Sequence, residues 1–487
     1  MKNYNFDKPV ARRGSGCVKW DEAEVPDVIP MWVADMDFEA APPIRRALQR
    51  RLDHGVFGYT LVPDSYYQAI VDWFSRRHEW TISREWVMYT SGVVPALSAI
   101  VKAFTEPGDR VILQTPVYNC FFSSVRNNGC EVVANSLECR VDTHDSVECR
   151  VDTHDSVECR VDSVEFATAH DSLECRVDSV EFPTGLPVPH DGRAVANSTL
   201  NTLHSTLNSL NTLHSTLNSL NTQHSTLNSL NTLYSTLNYE IDYTDLEAKC
   251  SDERTRLLIL CNPHNPVGRV WRRDELQRVA DICRRHGVVV VSDEIHNELC
   301  FCGRRYVPFG TVDMDNAIIC TSPSKSFNIA GLQNANIICK HSEWRQRIDR
   351  AINQNEVCDV NPFGVVATEA AYNEGEPWLD ALCDYLWQNY QSLLSFFAEE
   401  MPQLPVTPLE GTYLVWVDIR PTGLSSDALA MRLLRRGHVQ VNSGTMYGAE
   451  GFIRINIACP RSQMMEGLRR IAEVIRPTLE ALTEAIS

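Results

Sequence analysis

The 487-residue chain has no run of about eighteen apolar residues, so nothing in it reads as a bilayer-spanning helix. Its opening stretch, MKNYNFDKPVARRGSG, lacks the apolar centre of a secretory leader, and the expected location is the cytoplasm. The 17 cysteines are scattered without a CxxC pair or a His-rich companion, which argues against a disulfide framework and against a structural metal site. They are expected to be reduced thiols. Basic residues are in deficit, 45 against 63 acidic, for a formal charge of −18. A nucleic acid is therefore excluded as the main partner, because phosphate binding needs a basic face.

Two tandem arrays interrupt the chain. Between about Ser136 and Thr184 the peptides SLECRVDTHD, SVECRVDTHD, SVECRVDSVEF and SLECRVDSVEF follow one another, and from Ser198 to Asn238 STLNSLNTLH recurs with a ten-residue period. Residues 139 to 193 hold 13 acids and 5 bases, a balance of −8, so much of the acidity comes from the first array. Leu200, Leu203, Leu207, Leu210, Leu213, Leu217 and Leu220 are spaced like a helical stripe. The intervening Asn, Ser and Thr favour caps and turns, however, and a disordered or loosely ordered insert is expected over 139–238. Excising it joins GCEVVANSLE to YEIDYTDLEAK, a strand leading to a helix start.

The rest alternates. RVILQTPVY, TRLLILCNP, GVVVVSDEI and NAIICTSPS are short apolar runs that end in polar residues, and helical patterns such as RRDELQRVADICRRHG lie between them. This predicts an α/β fold, a mostly parallel sheet with helices on both faces, over 46–138 and 239–350. GTYLVWVDI and GFIRINIA alternate as in an antiparallel sheet with one exposed face. They predict a smaller α+β domain over 351–487, packed with an N-terminal arm, 1–45. In a parallel sheet ligands gather beyond the carboxyl ends of the strands.

Those ends carry distinct chemistry. TSGVV offers Ser91, Gly92 and Val93 at a helix start, where backbone N–H groups can hold a phosphate. CNPHNPVG offers Asn265, SDEIHNE offers Asp293 and His296, and SPSKS offers Ser322, Ser324 and Lys325. Tyr118, in TPVYN, can stack on a ring. One cofactor would use them all: pyridoxal 5′-phosphate, with Lys325 as Schiff-base lysine, Asp293 at the pyridine nitrogen, and Asn265 and His296 at the ring oxygen.

CNPHNPVGRVW, SDEIHNEL and SPSKSFNIAGL, with IPMWVADMDF and FGYT earlier, resemble the pyridoxal-phosphate enzymes of the aspartate aminotransferase fold, in the MalY/PatB branch of cystathionine or cysteine-S-conjugate β-lyases. The resemblance covers 1–138 and 239–487. It implies Lys325, Asp293, Asn265 and Tyr118 as cofactor residues, with Lys325 and Asp293 catalytic. It also implies Arg454 as the clamp of the substrate α-carboxylate, Ala34 beside the substrate, and Tyr59 reaching the phosphate of a neighbouring subunit in a homodimer. His296 stands where related aminotransferases have tyrosine, and Gln333 where many have a phosphate-binding arginine; both departures point to the lyase branch. The implied activity is cleavage of cystathionine, cysteine or a cysteine S-conjugate to thiol, pyruvate and ammonia. A transaminase, or a member that also acts as a regulatory interaction protein, is the alternative.

Overall fold

A seven-stranded sheet organises the chain in the computed structural model, which describes residues 4–22, 25–142, 236–354 and 359–486. In chain order the described strands are β1 (Ile29–Pro30), β2 (Val87–Thr90), β3 (Arg110–Leu113), β4 (Glu131–Ala134), β5 (Glu138–Asp142), β6 (Thr236–Glu240), β7 (Thr255–Cys261), β8 (Val289–Asp293), β9 (Ala317–Thr321), β10 (Ala335–Ile338), β11 (Leu414–Asp418), β12 (Val439–Gln440), β13 (Asn442–Ser443) and β14 (Phe452–Asn456). The large sheet runs β2-β10-β9-β8-β7-β3-β4. From β9 to β4 every pairing is parallel, and β10 is antiparallel to both β9 and β2. All four apolar runs singled out in the sequence are strands of this sheet.

Those runs read as continuous apolar stretches because both faces of the sheet are covered. Successive side chains enter opposite cores: Leu258, Leu260, Val290 and Ile319 pack on one face, and Leu257, Ile259, Val291 and Ile318 on the other. The helix Arg273–Arg285 shows how the crossovers are built. Asp274 and Glu275 occupy its first turn, Glu275 also accepts from the Arg272 backbone N–H, and Gly287, at φ 67°, reverses the chain beyond its end.

β11, β14 and β13 form a three-stranded antiparallel sheet. Here the expectation of one exposed face is corrected: every residue of β11 and β14 is buried. Trp416 stacks on Phe452 with 4° between the rings, and its indole N–H donates to Tyr239 Oη at 3.1 Å. The N-terminal segment joins this region, with β1 parallel to β12.

β5 and β6 pair as an antiparallel hairpin, Glu138 opposite Glu240 and Asp142 opposite Thr236. The pairing thus continues inside the expected insert limits of 139 and 238. Leu237 and Tyr239 are buried, and Arg269 donates to the Tyr239 carbonyl. Residues 143–235, which hold most of both arrays, lie outside the described residues. No helix among the described residues is long and apolar enough to cross a membrane.

Candidate active site

The register of the large sheet brings the polar strand ends together. Cys261 pairs with Asp293, and Asp293 with Cys320, so the segments after β7, β8 and β9 leave the sheet side by side. Asn265, Asp293, His296 and Lys325 therefore share one edge, with Tyr118 arriving after β3.

Lys325 is half-buried and its Nζ donates to the Ala34 carbonyl at 2.6 Å. Burial lowers its pKa to about 8, the Arg454 guanidinium adding to the effect while Asp35 and Asp293 oppose it. The counter-charges are near enough to be felt and too weak to win. A fraction of neutral amine is thus present near neutrality.

Asp293 is buried, and its Oδ1 accepts from the Ile295 N–H at 3.1 Å. Desolvation raises its pKa to about 7, with Lys325 acting the other way. The next residue, Glu294, turns into the core, where it accepts from Ser292 Oγ at 2.8 Å, the Phe309 N–H at 2.9 Å and the Tyr306 hydroxyl. Glu294 ties down the turn; Asp293 is left facing the site.

Arg454, on β14, is buried and fixed from three sides. Its Nη1 donates to Asn265 Oδ1 at 3.0 Å, its Nη2 donates to the Trp32 carbonyl at 2.8 Å, and its guanidinium lies 4.7 Å from the Tyr447 ring centre. With Oδ1 so engaged, the Asn265 amide N–H₂ is the group left to donate elsewhere. Tyr118 senses both Arg454 and Asp293, and burial keeps its phenol protonated. His296 is buried edge-on to Tyr413, with ring centres 6.1 Å apart, and burial next to Lys325 and Arg454 holds it neutral.

Gly92 caps the helix Val93–Phe104, whose first N–H groups face out of the helix with no intrahelical acceptor. A Cβ at Gly92 would lie 3.2 Å from Pro95 Cδ. Ser322 Oγ is 2.6 Å from the Asn334 carbonyl and 2.8 Å from Ser324 Oγ, so the two hydroxyls are paired with each other, and Ser324 Oγ lies 3.5 Å from the same carbonyl. Tyr59 is elsewhere, 98% exposed on the loop before Asp64–His78.

The cofactor expected from the sequence fits these residues. Two buried polar atoms here, His296 Nδ1 and Arg454 Nε, have no hydrogen-bond partner among the described residues. A ring oxygen and a carboxylate are groups of the right kind to meet such atoms, as a protonated ring nitrogen is for Asp293 and a phosphate for the helix start. Sequence reasoning missed Tyr413, Asn442, Asn456 and Tyr447. GTYLVW was legible only as a strand, and no motif marks residues that act on a distant backbone.

Residues 26–160 and 225–471 match the aminotransferase class I and II family. Cystathionine beta-lyase PatB of Bacillus subtilis is 35% identical over 476 residues, covering 96% of this chain and 98% of PatB. Protein MalY of Escherichia coli is 29% identical, covering 97% and 99%. Among solved structures, cystalysin from Treponema denticola, which contains pyridoxal 5′-phosphate, superposes with a TM-score of 0.76 at 28% identity, covering 98% of this chain and 100% of cystalysin.

Proposed function

We propose that this chain, which belongs to the aminotransferase class I and II family, is a pyridoxal-phosphate-dependent carbon–sulfur β-lyase that converts cystathionine, cysteine or a cysteine S-conjugate, with water, to a thiol, pyruvate and ammonia. The observation that carries this reading is the Lys325 amine, its pKa lowered to about 8, set at the same strand ends as Asp293, Asn265 and Arg454. Full-length similarity to cystathionine beta-lyase PatB supports the lyase over the transaminase.

Pyridoxal phosphate, when bound, would supply an electron sink for the charge left on Cα. Asp293 holds the ring nitrogen protonated, and the Ser91–Val93 helix start with Ser324 holds the phosphate. Arg454 receives the α-carboxylate, already aligned by Asn265, the Trp32 carbonyl and the Tyr447 ring. Lys325, as a neutral amine, removes the proton from Cα; the electron pair released there expels the sulfur from Cβ as thiolate. His296 and Asn265 hold the ring oxygen. Tyr59 of a second copy completes the phosphate site, which makes the working form a homodimer, and the working compartment is the cytoplasm.

The test is pyruvate release from cystathionine by the purified, cofactor-loaded protein without added keto acid. Lys325→Ala should lower it by at least the 10²–10⁴-fold that a positioned base contributes. Pyruvate formed only when a keto acid is supplied would replace the lyase with the transaminase.

A further inference from the structure

The segment Trp32–Met36 forms one wall of the site, and each of its five carbonyls accepts from a side chain. Trp32 O accepts from Asn442 Nδ2 (3.0 Å) and Arg454 Nη2 (2.8 Å), and Val33 O from Asn456 Nδ2 (2.5 Å). Asp35 O accepts from Asn456 Nδ2 (2.7 Å) and Lys19 Nζ (3.2 Å), and Met36 O from Arg12 Nη1 (3.0 Å) and Asn328 Nδ2 (2.9 Å). Ala34 O differs from the others. Its donors are Lys325 Nζ at 2.6 Å and the Tyr413 hydroxyl at 2.9 Å, and the amine must leave if Lys325 is to react.

Tyr413 is built to stay. It is fully buried, its carbonyl accepts from the Ile457 N–H at 3.1 Å, and its ring packs edge-on to His296. The preceding residue, Thr412, sits at φ 71°, a conformation β-branched residues rarely adopt, and its N–H is held by the Leu299 carbonyl at 2.8 Å. The backbone thus accepts strain at the residue that aims the phenol.

We infer that Tyr413 is a positioning residue whose hydroxyl holds the Ala34 carbonyl, and with it the Trp32–Met36 wall, whenever the Lys325 amine is engaged elsewhere. The inference rests on the reading of Lys325 as the reacting amine. A carbonyl oxygen has two lone pairs, and one left without a partner in a closed site is unfavourable. By sharing the oxygen, Tyr413 weakens the hold on the amine and removes that penalty when the amine departs. Burial keeps the phenol protonated, so it remains a donor throughout the neutral range. The charged and titratable groups that face Lys325 are Arg454, Asp35, Asp293, Cys120 and the neutral His296; Asp35, Arg454 and His296 also face Tyr413. None of them replaces the phenol at this oxygen.

The test is trace acetylation of the cofactor-free protein from about pH 6 to pH 10, read lysine by lysine by peptide mass spectrometry. In Tyr413→Phe the Lys325 midpoint should move above its wild-type value near 8, and its labelling rate near neutral pH should fall about tenfold. Lys19, buried against Asp37, should stay as protected as in the wild type, which reports an intact fold. In the loaded enzyme kcat should fall with KM for the amino acid little changed. A wild-type midpoint and rate at Lys325 in Tyr413→Phe would overturn the inference. If exposure of Lys19 shows that this variant misfolds, 3-fluorotyrosine placed at 413, a stronger donor of nearly the same size, should lower the midpoint, and no movement would overturn the inference equally. Absence of pyruvate from the wild-type enzyme would instead strike the lyase reading, without altering the labelling comparison.

Discussion

Burial lifts the Asp293 carboxyl to about 7, whereas in an unfolded chain it titrates near 4. Between those values the native state binds a proton that the unfolded state has released, so stability falls as pH rises through about 4 to 7 and the penalty is fully present above 7. In the cofactor-free protein at pH 8, Asp293→Asn should therefore stabilise by about 2–4 kcal/mol, and by almost nothing at pH 4. The same variant should retain cofactor poorly, since the ring nitrogen loses its counter-charge. Denaturant midpoints against pH decide the matter; an equal shift at both pH values would contradict it. Lys325, Asp293 and Asn265 were legible in the sequence because Asp293 ends one apolar run and Asn265 and Lys325 each lie four residues beyond the end of another, and Arg454 through its resemblance to the family's clamp. Tyr413, Asn442 and Asn456 were not, because each acts on a backbone carbonyl of Trp32–Ala34 brought near only by the fold.

At the scale of elements, the parallel strands were readable because burial on both faces makes their apolar runs continuous. The alternating pattern of β11 and β14 predicts one exposed face, whereas Trp416 and Arg454, paired across the two strands, are both buried. The expected insert limits of 139 and 238 fall within the β5–β6 pairing, because the array peptides continue without a break into the described hairpin. Arg140 lies between Glu138 and Glu240, at 2.8 and 3.2 Å, and offsets the repulsion of those opposed carboxylates, though such exposed pairs contribute little. Replacing 143–235 with Asn-Gly, a two-residue turn suited to the paired Asp142 and Thr236, should leave cofactor binding and turnover intact. Deleting 139–238 instead removes the buried Leu237 and should destabilise by about 2–5 kcal/mol or more, the range for emptying a core site. Thermal unfolding of the two variants compares them directly, and equal midpoints would show that the hairpin is dispensable.

For the whole molecule, the loop carrying Tyr59 matters most. Val56, Phe57, Tyr59 and Leu61 are all exposed, an apolar group of the kind that marks an interface. Phe57 is braced by Phe363 at 5.5 Å between ring centres, which holds part of the loop in place. If Tyr59 reaches a second copy's phosphate, Tyr59→Phe should weaken cofactor retention by about 1 kcal/mol, roughly fivefold, and dilution to monomer should release cofactor. Equilibrium dialysis alongside sedimentation tests this, and a monomer that retains cofactor as tightly as the dimer would refute it. The central claim, that the strand-end constellation performs β-elimination at a carbon–sulfur bond, meets its most direct test in one assay. Wild-type and Lys325→Ala protein, each loaded with pyridoxal phosphate, are mixed with cystathionine and no keto acid, and pyruvate and thiol are measured together. The account predicts equal amounts of both products from the wild type and a loss of at least 10²-fold in the variant; comparable pyruvate from the two proteins would contradict it.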